Sequence, residues 1–166
     1  MTVMTHSFRV QNHQNKPIFH DVTEQVKKAV ANSGVRHGIA TVYSQHTTCS
    51  VLIQEDSLDT TLDGTPYLMQ DMLNVLEKLT PKCWHEGQYL HPGPAHLKHA
   101  TGNLGEEGWW SLNTEAHLRS CLLGRSETIP IVDAALVLGH FGQIYFADFD
   151  SVRQRERSVM VQIVGE

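Results

Sequence analysis

Ile39-Ala-Thr-Val-Tyr-Ser44, Gln45-His46-Thr47-Thr48 and Cys49-Ser-Val-Leu-Ile-Gln54, closed by Glu55, form the stretch on which the fold turns. The two outer runs are β-branched and apolar. The few residues between them leave room only for a tight connection or a bulge between neighbouring strands. His46 is thus expected at a strand end, so that an imidazole, two hydroxyls and a carboxylate surround one strand.

Working outward, His6-Ser-Phe-Arg-Val-Gln11 alternates and reads as a strand, followed by the turn-prone segment Asn12 to Pro17. Asp21-Val-Thr-Glu24 has the form of a capping box. Val22, Val26, Ala29 and Val30 share one helical face, and Ser33-Gly34 supplies the stop. A second helix is predicted from Thr65-Pro66, with Met69, Met72, Leu73, Leu76 and Leu79 as its apolar stripe and Pro81 as its end. Asn113-Thr114 caps a third, short helix through Leu118, Cys121 and Leu122, which Gly124 ends. Residues 128–132, 135–138, 143–149 and 158–164 are rich in β-formers. The predicted class is α+β, a β-sandwich of mostly antiparallel strands with a few helices, in a single domain over residues 1–166.

Between Pro81 and Asn113 the periodicity disappears, and residues 82–112 read as a loop that holds all three tryptophans. A loop of that length inside a compact domain is usually functional. Its ends are expected to pack down through Trp84, Trp109 and Trp110, as a cover for a site or a contact between subunits.

The formal charge is −5, from 18 acidic and 13 basic side chains, and no Lys/Arg run offsets it. Such a surface has no general attraction for nucleic acid or anionic lipid. No apolar run approaches the roughly 20 residues that span a bilayer, and residues 1–19 lack an apolar leader, so a non-exported protein without membrane association is expected. Three scattered cysteines form neither a disulfide framework nor a C-x-x-C pair, which suits a reducing cytoplasm.

Eleven histidines supply most of the chemistry that can act near neutral pH. His117 falls in the first turn of its helix, where the macrodipole keeps the imidazole neutral, the form that a metal requires; a capped surface histidine satisfies the same position. His91, in Tyr89-Leu-His91, lies in the long loop, where His96 and His99 compete with it. Any two of these with His46 and His117 would complete a three-nitrogen site with an open position. Glu55 reads as a general base, as an orienter of histidine or as a plain acidic loop residue. Arg153, Arg155 and Arg157 alternate, so an extended backbone projects them from one face, as an anion clamp or as solvated charges. Ser44, Thr47, Thr48 and Ser50 add hydroxyls suited to phosphate or to turns.

Taken in order, Gln45-His46-Thr47-Thr48-Cys49-Ser50-Val51-Leu52 with Glu55, Tyr89-Leu-His91, Asn113-x-x-Ala116-His117-Leu118, Leu123-Gly124-Arg-Ser126, Ile129-Pro130-Ile131, Leu138-Gly139 and Phe149-Asp150-x-x-Arg153-x-Arg155 resemble the YjbQ family, often called secondary thiamine-phosphate synthase enzymes. The resemblance runs from about residue 5 to the C-terminus. It implies an α+β fold assembled as a homotrimer, with its site close to a subunit boundary. It also implies a weak thiamine-phosphate synthase activity, which joins an aminopyrimidine methyl diphosphate to a thiazole phosphate and releases pyrophosphate.

Under that resemblance His46, Glu55 and His117 are the expected catalytic groups, and Thr47, Thr48, Asn113, Arg153 and Arg155 hold a small phosphorylated substrate. His46, His91 and His117 would bind a divalent metal, Zn²⁺ or Mg²⁺. The chain departs from the family pattern at Asp133-Ala134-Ala135-Leu136, where the family has glycine second, and at Gly139-His140-Phe141-Gly142, where it has Gly-Thr-Trp-Gln. These changes are expected to alter the site floor, with His140 as a substitute ligand or a filler. Extra residues follow Pro92 and Glu55. Two other readings of the same histidines are a metal-dependent hydrolase of a small phosphate or carboxylate ester, and a metal- or metabolite-binding trimer without turnover.

Overall fold

The computed structural model describes residues 1–166 and is an α+β sandwich of two antiparallel sheets with helices. The larger sheet has five strands in the order β1 (Thr2–Asn12), β8 (Arg155–Gly165), β3 (Gly38–Ser44), β5 (Ser126–Val132) and β6 (Ala135–Leu136). The smaller sheet runs β2 (Ile18–Asp21), β7 (Gly142–Asp148) and β4 (Cys49–Glu55). Helix α1 covers Thr23–Ser33, α2 Tyr67–Leu79, α3 Pro94–Asn103 and α4 Thr114–Leu123.

β3 and β4 are therefore not partners, contrary to the tight connection expected between them. β3 pairs with β8 and β5, whereas β4 pairs with β7. Residues 45–48 carry the chain from one sheet to the other. The reason lies in which faces are buried. Cys49 and Val51 join Ala40, Val42, Ile144, Phe146 and Val161 in the core between the sheets. Leu52, Tyr145, Ala147 and Phe149 instead face Met69 and Leu76 of α2 and Ala116 of α4 in a second cluster. The small sheet is thus covered on both faces, so its strands lack the polar alternation of a half-exposed hairpin.

Helix α1 presents Val22, Val26, Ala29 and Val30 to the inter-sheet core and ends at Gly34, whose φ of 71° is the left-handed conformation that glycine adopts without cost. The capping-box expectation is half right. Asp21 Oδ1 accepts the Thr23 N–H at 2.9 Å, but Asp21 itself belongs to β2, a four-residue strand hidden in the expected turn-to-helix stretch. The loop expected over residues 82–112 contains α3 and a 3₁₀ turn at Gly108–Ser111. Pro94 opens α3, and only Ala100 is buried on it, so no apolar stripe announced the helix.

Asp133 and Ala134 form the two-residue turn between β5 and β6, with φ of 51° and 63°. Both positions of such a turn favour residues that tolerate positive φ, and alanine does not. The Ala134 N–H donates to Arg36 O at 2.9 Å, so the backbone is held there. Ala134→Gly is expected to raise stability by about 0.5 to 1 kcal/mol, because the relief of strain exceeds the added freedom of the unfolded chain. Thermal melting of the two proteins checks this; an unchanged or lower Tm contradicts it.

Candidate functional site

The crossover from β3 to β4, the start of β8 and the first turn of α4 meet at one end of the sandwich. Their side chains line a cleft of about 320 Å³. His46, Thr47 and Thr48 come from the crossover, Asn113 and His117 from α4, and Arg153, Arg155 and Arg157 from the approach to β8 and its first residues. The stretch from α3 to the 3₁₀ turn adds His96, Glu106, Trp110 and Ser111.

Arg157 is the anchor of this cleft. It stands on β8 in the large sheet and forms a two-pronged ion pair with Asp148 on β7 in the small sheet, Nε to Oδ2 at 2.8 Å and Nη2 to Oδ1 at 2.9 Å. The same Nη2 donates to Thr48 Oγ1 at 3.2 Å and to Asp150 Oδ2 at 3.3 Å. Asp148 and Asp150 are fully buried and Arg157 is 2% exposed. Burial works against the Arg157 charge, but the Asp148 hydrogen bond and the two carboxylates overcome it and leave the guanidinium more basic than usual. Burial pushes the Asp150 carboxyl up, against the Val152 N–H and Arg157, which favour its charge.

His46 is fixed by the way the ladder ends. The β3–β8 pairing stops at Ser44 opposite Val159, and the next amide on β8, that of Ser158, donates to His46 Nε2 at 3.0 Å. Nε2 is therefore the accepting nitrogen, and in the neutral ring Nδ1 carries the proton. Burial first, and Arg157 second, lower the pKa of His46. Its free group is a donor with no added charge.

His91 and His117 come together because Thr114 Oγ1, at the start of α4, donates to the His91 carbonyl at 2.5 Å. Their ring centroids are 5.6 Å apart, and His96 stands on the other side of His91 at 4.5 Å. Burial lowers the pKa of both His91 and His117, and neighbouring imidazoles lower them further. No group of three His, Cys, Asp or Glu side chains is placed to hold a metal ion. The expected set of His46, His91 and His117 does not fit a Zn²⁺ centre in this chain, since His46 Nε2 is engaged by the Ser158 amide. Mg²⁺ favours carboxylate oxygens, and the sole carboxylate lining the cleft, Glu106, is paired with Arg153.

Glu55 lies elsewhere. It ends β4 opposite Gly142, exposed, six residues along the strand from Cys49 and so roughly 20 Å from the crossover at the usual rise per residue. The departures at Ala134 and at His140 to Gly142 also lie outside the cleft lining, so they do not alter its floor. The His140 ring packs on Phe141 at 4.5 Å, as a filler. A Cβ on Gly142 would meet Leu138 O at 2.2 Å, so the tight loop there requires glycine. His96, a competing candidate for the histidine site, does line the cleft, whereas Asp148, Glu106 and Trp110 are site residues that the sequence did not single out. Only Asp148 had a signal, its position two residues before Asp150 at a strand end.

A family model described as UPF0047 protein YjbQ-like matches residues 6–166. The chain belongs to the YjbQ family. A UPF0047 protein of Methanocaldococcus jannaschii is 33% identical over 146 residues, 88% of this chain and 84% of the relative. The crystal structure of a YjbQ/UPF0047 family protein from Clostridium acetobutylicum matches with a TM-score of 0.71 at 30% identity, covering 95% of this chain and 98% of that one. A YbjQ-like protein of Sulfolobus solfataricus matches with a TM-score of 0.73 at 25% identity, over 99% and 98% of the two chains. The similarity to these YjbQ-family structures thus extends over the whole sandwich, the cleft-forming elements included.

Asp148→Asn leaves the buried Arg157 without its principal counter-charge and is expected to lower stability by at least about 3 kcal/mol, read by urea denaturation. The histidines set a pH dependence. A group whose pKa is lowered on folding binds fewer protons in the folded state, so the unfolded chain is favoured as pH falls below the ordinary histidine value of 6.5. Stability should decline from pH 7 toward pH 5, and His117→Gln should flatten that decline. Asp150, with its carboxyl pushed up, contributes with the opposite sign, so the difference between the two proteins isolates the share of His117.

Proposed function

We propose that the cleft binds the phosphoryl group of a small phosphorylated molecule, and that the protein is a transferase similar to secondary thiamine-phosphate synthases. In the reaction assigned, the C–O bond of an aminopyrimidine methyl diphosphate breaks, pyrophosphate leaves with the electron pair, and a thiazole phosphate nitrogen forms the new C–N bond. The observation that carries this reading is the convergence of Arg153, Arg155 and Arg157 with Thr47, Thr48 and Asn113 on one cleft.

Arginine presents a fork of N–H donors that matches phosphate oxygens and stays charged at any physiological pH. Donors fixed before the reaction stabilise charge that develops on a departing pyrophosphate without reorganisation at that moment. Arg155 suits this role. Its Nε lies 3.3 Å from Asp150 Oδ2 but off the hydrogen-bonding direction, so its donors are not used up. His46 adds a neutral N–H. His117 and His91, kept neutral by burial, are able to take or release a proton without adding lasting charge.

The proposal includes a homotrimer in the cytoplasm. Leu118 and Leu122 stand exposed on the outer face of α4, beside the cleft residue His117, where a second subunit would cover them. All three cysteines are free thiols, in keeping with a reducing compartment. No nucleic acid or membrane partner is proposed, and no helix is long and apolar enough to cross a membrane.

The test is calorimetry with inorganic pyrophosphate, followed by an assay for coupling of the aminopyrimidine diphosphate to the thiazole phosphate. Pyrophosphate binding that weakens roughly tenfold or more in Arg155→Ala, with coupling lost in parallel, is the expected result. Absence of pyrophosphate binding, or binding indifferent to Arg155→Ala, rejects the site. Binding without coupling rejects the reaction and leaves a metabolite-binding protein.

A further inference from the structure

Glu106 is the one carboxylate that lines a cleft otherwise furnished with cations, imidazoles and hydroxyls. It is not a free surface charge. Its Oε1 accepts from Arg153 Nη2 at 2.6 Å, and both side chains are mostly buried, with 27% and 19% exposed. The Arg153 guanidinium carbon sits 4.2 Å from the centroid of the Trp110 ring, so the arginine is clasped between an anion and an aromatic face from the same segment. Arg153 Nε is buried with no hydrogen-bond partner, a donor left over at the edge of the pair. The carboxylate is delivered by the turn after α3, where the Glu106 N–H donates to Ala100 O at 2.9 Å.

We propose that Glu106 is a specificity-determining residue, an internal anion that occupies the Arg153 subsite and yields it to phosphoryl groups but not to carboxylates. The inference rests on the phosphoryl-site reading above and deepens it. A carboxylate on a ligand brings the same single charge and the same two oxygens as Glu106. Glu106 is tethered, so its effective concentration at Arg153 is in the millimolar range or above, and an equal competitor in solution gains nothing by exchange. A phosphoryl group brings up to two charges and three oxygens to one guanidinium, where Glu106 brings one charge and two oxygens. The charge gathered on a single group decides the exchange: malonate matches phosphate in total charge but spreads it over two carboxylates, each no stronger a partner for Arg153 than Glu106. Arg155 and Arg157 do not discriminate in this way, because their carboxylate partners, Asp148 and Asp150, are fully buried and held by backbone and side-chain donors.

The test compares inorganic phosphate, pyrophosphate and malonate on the full chain and on Glu106→Gln, which keeps the shape and removes the charge. The expected result is that the unaltered protein binds pyrophosphate and phosphate but not malonate at equal concentration. In Glu106→Gln, malonate binding appears and pyrophosphate binds roughly tenfold more tightly. A second reading needs no substitution at Glu106. Trp110 emission in the unaltered protein should respond to pyrophosphate and stay unchanged with malonate, and Trp110→Phe assigns the signal among the three tryptophans. Malonate binding to the unaltered protein as tight as phosphate, a malonate response of Trp110, or identical preferences in Glu106→Gln overturns the inference and leaves the phosphoryl site standing. No binding of either phosphate species fails the underlying site, and the inference with it.

Discussion

The pairing of Arg157 with Asp148 is the constraint on which the rest of the cleft depends. Each partner belongs to a different sheet, so their two hydrogen bonds stitch the sandwich together at the end where the chain crosses over. Burying two charges is expensive, and the cost is offset only where geometry is good and the remaining donors and acceptors are filled. Here they are filled. Thr48 and Asp150 take the other Nη2 contacts, while the Asp150 amide donates to Asp148. An apolar substitute would hold the sheets together equally well but would leave the crossover hydroxyls and the next two arginines without a common point of reference.

From that pair the site follows by short steps. The crossover is drawn to the start of β8, where the ladder with β3 ends and the Ser158 amide is left for His46. Alternation at the start of β8 then places Arg155 on the same side as Arg157, and the bend that precedes the strand brings Arg153 into the same cleft lining. Helix α4 brings His117 against the crossover and, through Thr114, holds His91 beside it.

Much of this was legible in the residues. The strands at 39–44 and 49–54 and the apolar faces of α1 and α2 follow from local periodicity, which reports the face that a side chain occupies. The face of α4 does not, since that helix buries Glu115, Arg119 and Ser120 and leaves Leu118 and Leu122 exposed. Periodicity does not report which strand lies alongside, because pairing is settled by burial from distant parts of the chain. Residues 45–48 thus suggest a tight connection or a bulge between neighbouring strands, whereas they pass between sheets. Glu55 was placed near His46 for the same reason, since a short separation in sequence becomes a long one along an extended strand. Helix α3 carries one buried residue and no stripe, and Glu106 carries no motif, so neither was visible before their contacts with the arginines were known.

The histidines and arginines in the cleft answer the same surroundings in opposite ways. Burial and the nearby guanidinium hold His46 neutral, whereas the buried carboxylates hold Arg157 charged. An imidazole beside fixed cations is a poor site for further positive charge, and a guanidinium fixed by carboxylates gives up none of its own. The cleft therefore sets fixed charge and titratable groups on different side chains, which a cluster of histidines alone would not. On the proposed phosphoryl reading, attraction for an anion would rest on guanidinium groups that stay charged, and proton movement on imidazoles whose pKa burial lowers. A doubly charged phosphoryl group at Arg155 would favour imidazolium at His117 by its own field, so under that reading the proton carrier would be loaded by the ligand more than by the pH of the solvent.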